Sequence, residues 1–273
     1  MVWGSLAVGS SCYEKVKSQM LYSLIKKVTP AFLKAAATDL AWKRVGLVTE
    51  LPSGLKVQIN SPGEWYVFNE VFVNKLYDGA IQKAIELSSE SRNINVLDLG
   101  ANVGYFTLRL FDLLQDPKRA YAVLVEGVPS VHKELEQRLR GQPLPQENIR
   151  ILNGLVGRVS NKGLINVNKH PVNSSIFDRS ETVKKVAVDF VDLNLLFDTI
   201  NLLKCDIEGA ELLFLENYTT LLSKTKVAIF ELHHELCDAN RCLLLLSQVG
   251  FSNHNVLIDT PALSLHMFWR DIY

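Results

Sequence analysis

The segment VLDLGANVG, residues 96–104, constrains this chain more than any other stretch. Three apolar residues interrupted by one acid read as a short buried strand. The glycines at 100 and 104 then let the backbone turn sharply, close to a ligand. YFTLRLFDLL follows directly and has the apolar spacing of a helix. A strand, a glycine turn and a helix in that order make the first unit of an α/β domain whose ligands bind at the carboxyl ends of parallel strands.

The rest of the chain repeats this alternation. Short apolar runs near 94–99, 120–126, 149–153, 200–206, 226–232, 252–258 and 264–270 read as strands, and amphipathic helices fill most gaps. That pattern predicts right-handed crossovers and a Rossmann-like, doubly wound, mostly parallel seven-stranded sheet. The last two runs are joined only through Asp259-Thr260-Pro261, too short for a parallel crossover, so the final strand is expected to be antiparallel. Upstream, Pro52-Ser53-Gly54 supplies the turn of a β-hairpin over 46–60, and EWYVFNEVFVNKLYDGAIQKAIELS reads as helical. Residues 13–44 carry apolar residues at helical spacing, divided by Pro30. The expected organisation is an N-terminal helical cap with a hairpin, 1–90, packed on a main domain, 91–273.

Composition removes several classes. Lys plus Arg and Asp plus Glu both number 29, so no long-range attraction to nucleic acid is expected. Cys12, Cys205, Cys237 and Cys242 form no CxxC pair, which argues against a disulfide framework or structural zinc and for a cytoplasmic location. No segment has the apolar length needed to span a bilayer, so no stable membrane insertion is expected. A homodimer is compatible with the sequence.

The cofactor reading starts at Asp98, two residues before the first glycine. A carboxylate there repels phosphate and suits an ammonium group. Gly100, Asn102, Gly104 and Phe106 line the same turn. The second strand, YAVLVEG, ends in Glu126-Gly127, and an acid at that tip can accept both ribose hydroxyls of an adenosine. Gly154 and Leu155, after the third strand, are placed to border the base. The fourth strand, NLLKCDIEGAE, ends in Asp206, with Glu208 and Glu211 opening the next helix. The fifth, KVAIFELHHEL, brings Glu231, His233 and His234 to the same rim. Adjacent strand residues point to opposite faces, so one histidine of the two is expected to face the site. Asp206, Glu231 and a histidine could together hold a divalent cation, a reading the spacing does not compel.

At this point the chain resembles the FkbM family of methyltransferases. VLDLGANVGYFTL, YAVLVEGVPSVHKELEQRL, NSSIF, VDFVDLN, LLKCDIEGAELLFLENY and IFELHHEL carry the resemblance over roughly residues 70–235. EVFVNKLYDGA, with Glu70 and Tyr77, looks like that family's entry segment. Gly127 departs from the pattern, where a proline often follows the acid, and is expected to loosen the loop. The resemblance implies a class I methyltransferase fold, S-adenosyl-L-methionine as cofactor with S-adenosyl-L-homocysteine as product, and O-methylation of a small-molecule hydroxyl. Sugars, polyketides and peptide natural products are the acceptor classes it suggests. In that frame Glu70 joins the cofactor residues. His233 takes the role of general base, with Asp206 and Glu208 beside it. Asn173, Ser174, Glu231 and His234 border the acceptor. No resident metal is assigned. The alternatives are an NAD(P)-dependent oxidoreductase, which shares the acid after strand two but lacks GxGxxG, and a non-catalytic cofactor-binding scaffold.

Overall fold

In a computed structural model, the structure describes residues 42, 46–88, 93–158, 163–168, 182–194 and 196–271. The helices expected over 13–44, apart from Trp42, and the acceptor residues Asn173 and Ser174 lie outside the described residues. The chain divides into two compact units, Met1–Val48 with Gln58–Trp65, and Thr49–Val57 with Tyr66–Tyr273. In the smaller unit the Trp42 and Trp65 rings lie 6.3 Å apart. There Ser61 Oγ accepts from the Glu64 amide and Glu64 accepts from the Asn60 amide, a reciprocal helix cap.

The expected hairpin is present as β1 (Leu47–Glu50) and β2 (Lys56–Ile59). The helical stretch after it is broken. α1 (Pro62–Phe68) runs into a π-turn at Asn69–Val73, and α2 (Asp78–Glu86) starts only after Lys75 adopts a left-handed φ of 56°. A left-handed residue cannot sit inside a helix, so the segment bends there. Wide turns of this kind insert a residue and re-aim side chains, commonly beside functional sites. Glu70 lies within this turn.

The main sheet has seven strands: β3 (Ile94–Leu99), β4 (Ala120–Glu126), β5 (Ile149–Asn153), β8 (Ile200–Cys205), β9 (Thr225–His233), β10 (Asn253–Asp259) and β11 (Leu263–Trp269). Their spatial order is β10-β11-β9-β8-β3-β4-β5. The expected doubly wound, Rossmann-like sheet is thus the observed one. β11 runs antiparallel to both β9 and β10, as the short Thr260–Ala262 connection requires. β6 (Gly163–Asn168) and β7 (Thr182–Val188) form a separate antiparallel ribbon that the sequence pattern had not marked as strands.

Central strands are covered on both faces, so most of their side chains are apolar, and the polar exceptions, Asp98 on β3 and Asn201 and Lys204 on β8, are buried with them. Leu97, Leu99, Val123, Val125, Leu203 and Phe230 are all buried. Each such side chain contributes on the order of 2 kcal/mol by leaving water. α3 (Tyr105–Leu113), α4 (Pro129–Arg140), α5 (Glu211–Asn217), α6 (Thr219–Ser223) and α7 (Ala239–Gln248) are the helices that accompany these strands. Chain order reverses between β3 and β8. Strand ends splay at such a point, which opens a crevice at their carboxyl ends.

Candidate functional site

The glycine turn forms the floor of that crevice. The Gly100 and Ala101 amides both donate to the Val125 carbonyl, at 3.0 Å each, which ties the turn to β4. Gly100 has a φ of 74°, and a Cβ there would stand 1.7 Å from the Asp206 carbonyl oxygen. The loop and the end of β8 therefore meet backbone to backbone. Gly104, at φ 86°, starts α3.

Glu126 is held from two sides. Its Oε2 accepts from the Asn102 amide at 2.9 Å and its Oε1 from the Val128 amide at 2.8 Å. Burial nevertheless pushes its pKa up to about 6, with the two amides opposing the shift. Each oxygen retains a further lone pair. Beside it the Asn102 Oδ1 is buried without a hydrogen-bond partner, and a bound ligand carrying a hydroxyl or amine donor would satisfy it. The residues present thus fit a nucleoside. Gly127 lies where the chain packs closely. A Cβ there would come within 3.0 Å of Ile165 and 3.3 Å of Leu155, so glycine is a close-approach residue. Gly154 is likewise crowded by Val191, and Leu155 exchanges backbone hydrogen bonds with Asp189 and Val191. Both follow β5, at the place the sequence assigned to them.

Asp98 differs from the expectation. It is fully buried, with no exposed surface of its own. Its Oδ2 accepts from Thr107 Oγ1 at 2.9 Å, and its Oδ1 lies 3.7 Å from Lys204 Nζ. Burial raises its pKa, while Lys204 opposes that shift. Lys204 also donates to the Gly100 carbonyl at 3.0 Å and to Asp206 Oδ2 at 3.3 Å. Burial alone would depress the lysine, but Asp206 and Asp98 outweigh it and hold the ammonium charged. Sequence reasoning passed over Lys204, yet a signal was there: NLLKC is a wholly buried strand, and a lysine on such a strand requires carboxylate partners.

Glu70, from the π-turn, has its pKa raised by burial and by Asp206, so it belongs to the same rim. The Tyr77 hydroxyl is buried within the field of Glu231, Asp206, Glu70 and Asp98 and is pushed well above its ordinary value, burial leading. The Tyr77 ring stands edge-on to Phe106 at 5.4 Å, and both are buried, so Phe106 supports the site from the core.

Of the two histidines, His233 faces the acidic rim. It shares a strand face with Glu231, two residues away, as the period of a strand requires. His233 Nε2 lies 3.5 Å from Glu231 Oε1 and 3.6 Å from Glu208 Oε2, and Nδ1 lies 3.6 Å from Glu211 Oε1. Glu211 is fully buried and fixed by the Ile207 and Gly209 amides. Burial alone would lower His233, but Glu211, Asp206 and Glu208 raise it to about 10. Glu231 rises to about 8, through burial first and Asp206 second. Glu211, Asp206 and Glu208 thus favour the imidazolium form of His233. His234, assigned to the acceptor pocket, is turned elsewhere. Its Nε2 lies 2.9 Å from Ser264 Oγ and its Nδ1 3.3 Å from the Pro261 carbonyl.

Asp206, Glu208 and His233 bring potential ligand atoms within 4.8 Å of one another, a spacing that would suit a divalent cation. Two cationic side chains, Lys204 and His233, already stand among these carboxylates. Asp206 is paired with Lys204, and His233 lies beside Glu208. We read the group as an ion-pair cluster.

A family model described as the Methyltransferase FkbM domain matches residues 98–254, more than half of the chain. That span opens on Asp98 and takes in Glu126, Lys204, Asp206, Glu211 and His233. Among solved structures, a Methyltransferase FkbM from Methylobacillus flagellatus KT is similar over 94% of this chain and 60% of its own, at 13% identity and a TM-score of 0.48. A precorrin-6y C5,15-methyltransferase from Geobacter metallireducens GS-15 is similar over 72% and 88%, at 9% identity and a TM-score of 0.45. Aeropyrum pernix fibrillarin, solved with natively bound S-adenosyl-L-methionine, is similar over 82% of both chains, at 12% identity and a TM-score of 0.44. No curated protein matches the chain. Among the described residues no helix is long and apolar enough to cross a membrane.

Proposed function

This chain belongs to the FkbM methyltransferase family, and from that premise we propose that it is an S-adenosylmethionine-dependent O-methyltransferase acting on a hydroxyl of a small metabolite. The observation that carries the cofactor reading is Glu126. Its two oxygens are fixed by the Asn102 and Val128 amides, beside the orphaned Asn102 Oδ1, at the crevice where strand order reverses. A carboxylate oriented in this way accepts a pair of vicinal hydroxyls and repels a phosphate.

The cofactor, when bound, supplies a methyl group already activated by a sulfonium. The protein has to hold the acceptor oxygen in line, exclude water and take a proton. Glu70 and Asp206 supply negative charge that suits the ammonium and sulfonium. Glu231 is the group we assign to the proton. It lies on the rim, and loss of its own proton leaves a carboxylate more basic than an ordinary one. His233 holds Glu231 and Glu208 in place as a cation. Balanced net charge favours a small neutral acceptor such as a sugar, polyketide or peptide hydroxyl over a nucleic acid.

Calorimetry tests this directly. S-adenosylhomocysteine should bind and NADH should not, and the reverse would sink the reading. Glu126→Ala should weaken that binding about 10- to 100-fold, the worth of hydrogen bonds to a charged group. In the unsubstituted protein, affinity should fall as pH drops through about 6, because a protonated Glu126 accepts hydroxyl donors poorly. An affinity flat between pH 5 and 7.5 would contradict the role given to Glu126.

A further inference from the structure

Asp98 is the acid that sequence reasoning gives to the cofactor's amino-acid end, yet it is sealed under the glycine turn. Its place in that role has to pass to another carboxylate. We propose that Lys204 is a positioning residue that effects the transfer: it closes Asp98 into the floor and presents Asp206 as the carboxylate that meets an ammonium group. The proposal rests on the cofactor reading above.

The geometry has three parts. An ammonium has three donors, and Lys204 Nζ has three acceptors about it: the Gly100 carbonyl at 3.0 Å, Asp206 Oδ2 at 3.3 Å and Asp98 Oδ1 at 3.7 Å. Asp98 Oδ1 makes no hydrogen bond, so Lys204 is its charge partner among the described residues. Asp206 is anchored twice, through its amide to the Leu99 carbonyl at 3.1 Å and through Oδ2 to Lys204. Its side chain stays 27% exposed, while that of Asp98 is 0% exposed. Only one of the two acids can therefore meet a ligand.

Lysine also ties the two halves of the crevice together. Gly100 belongs to the turn after β3 and Asp206 to the end of β8, and the one ammonium touches both. Removing its charge would leave Asp98 buried without compensation and free Asp206 to rotate.

The test compares two ligands on the full-length chain. S-adenosylhomocysteine carries the amino-acid end, and 5′-methylthioadenosine keeps the nucleoside and sulfur without it. The unsubstituted protein should prefer the first. Lys204→Met should lose about 10-fold or more of that preference. Because Lys204→Met strands a buried charge and threatens folding, Asp98→Asn/Lys204→Met is the second variant. It should regain thermal stability and methylthioadenosine affinity, within about 3-fold of the unsubstituted protein, yet still lack the preference. A proportional loss of both ligands, or an unchanged ratio in the double variant, would overturn the role and leave Lys204 a structural ion. Failure of the unsubstituted protein to bind either ligand would overturn the cofactor reading itself.

Discussion

Gly100→Ala should leave a protein that melts well below the unsubstituted chain and no longer binds the cofactor product. A Cβ at this position would stand 1.7 Å from the Asp206 carbonyl oxygen, and backbone on both sides prevents either from yielding cheaply. The left-handed φ of 74° adds its own penalty of about 1–2 kcal/mol for a residue with a Cβ. With overpacking at about 1–3 kcal/mol, the sum is roughly 2–5 kcal/mol, or about 5–15 °C for a domain of this size. Gly104→Ala is the control. Its φ of 86° is as unfavourable, but its Cβ would clash with the far end of Leu135, a side chain that can shift, and would touch Leu139 at ordinary contact distance. It should cost less and retain binding. Thermal unfolding with calorimetry distinguishes the two; a Gly100→Ala protein with unchanged melting and affinity would show that the turn and β8 do not meet as described.

Glu231→Gln should lower turnover about 100- to 10,000-fold, the usual worth of a positioned base, and flatten the pH profile. Glu231 must lose a proton before it can take one. Its pKa is raised to about 8, and His233, at about 10, stays charged over the same range. Turnover of a hydroxyl acceptor at saturating cofactor should therefore climb between pH 7 and 9 with a midpoint near 8. If His233 were the base, the rise would fall nearer 10, and His233→Asn rather than Glu231→Gln would abolish it. A Glu231→Gln enzyme that keeps the same midpoint would reassign the proton to another group. Cofactor-product affinity should change little in Glu231→Gln, which separates a lost base from a collapsed site.

Much of the fold was legible because its signals are local. Apolar runs of five to seven residues, a glycine after the first strand and proline and glycine at the ends of α4 mark each element within its own few residues. The antiparallel β11 followed from chain length alone, since three residues cannot cross a sheet. The β6–β7 ribbon was missed for the converse reason: its strands pair with each other and not with the main sheet. The break at Lys75 was also unmarked, because neither proline nor glycine announces it.

For the site, the sequence by itself determined which strand ends carry chemistry. Asp98, Glu126 and Glu231 stand at or just before the carboxyl end of a strand and Asp206 directly after one, and strand ends are readable from apolar period and turn residues. Only the tertiary structure decided what each acid does. Asp98 became a buried counter-ion because Lys204, 106 positions away, lies beside it. The imidazolium form of His233 is favoured because Glu211, Asp206 and Glu208, all from the segment that follows β8, converge on it. Charge and exposure depend on distances across the sheet, because the interaction energy of two charges falls as one over the distance between them. The glycine turn after β3 could be recognised from nine residues; what lies beneath it and what faces it depended on the packing of β8 and β9 against β3.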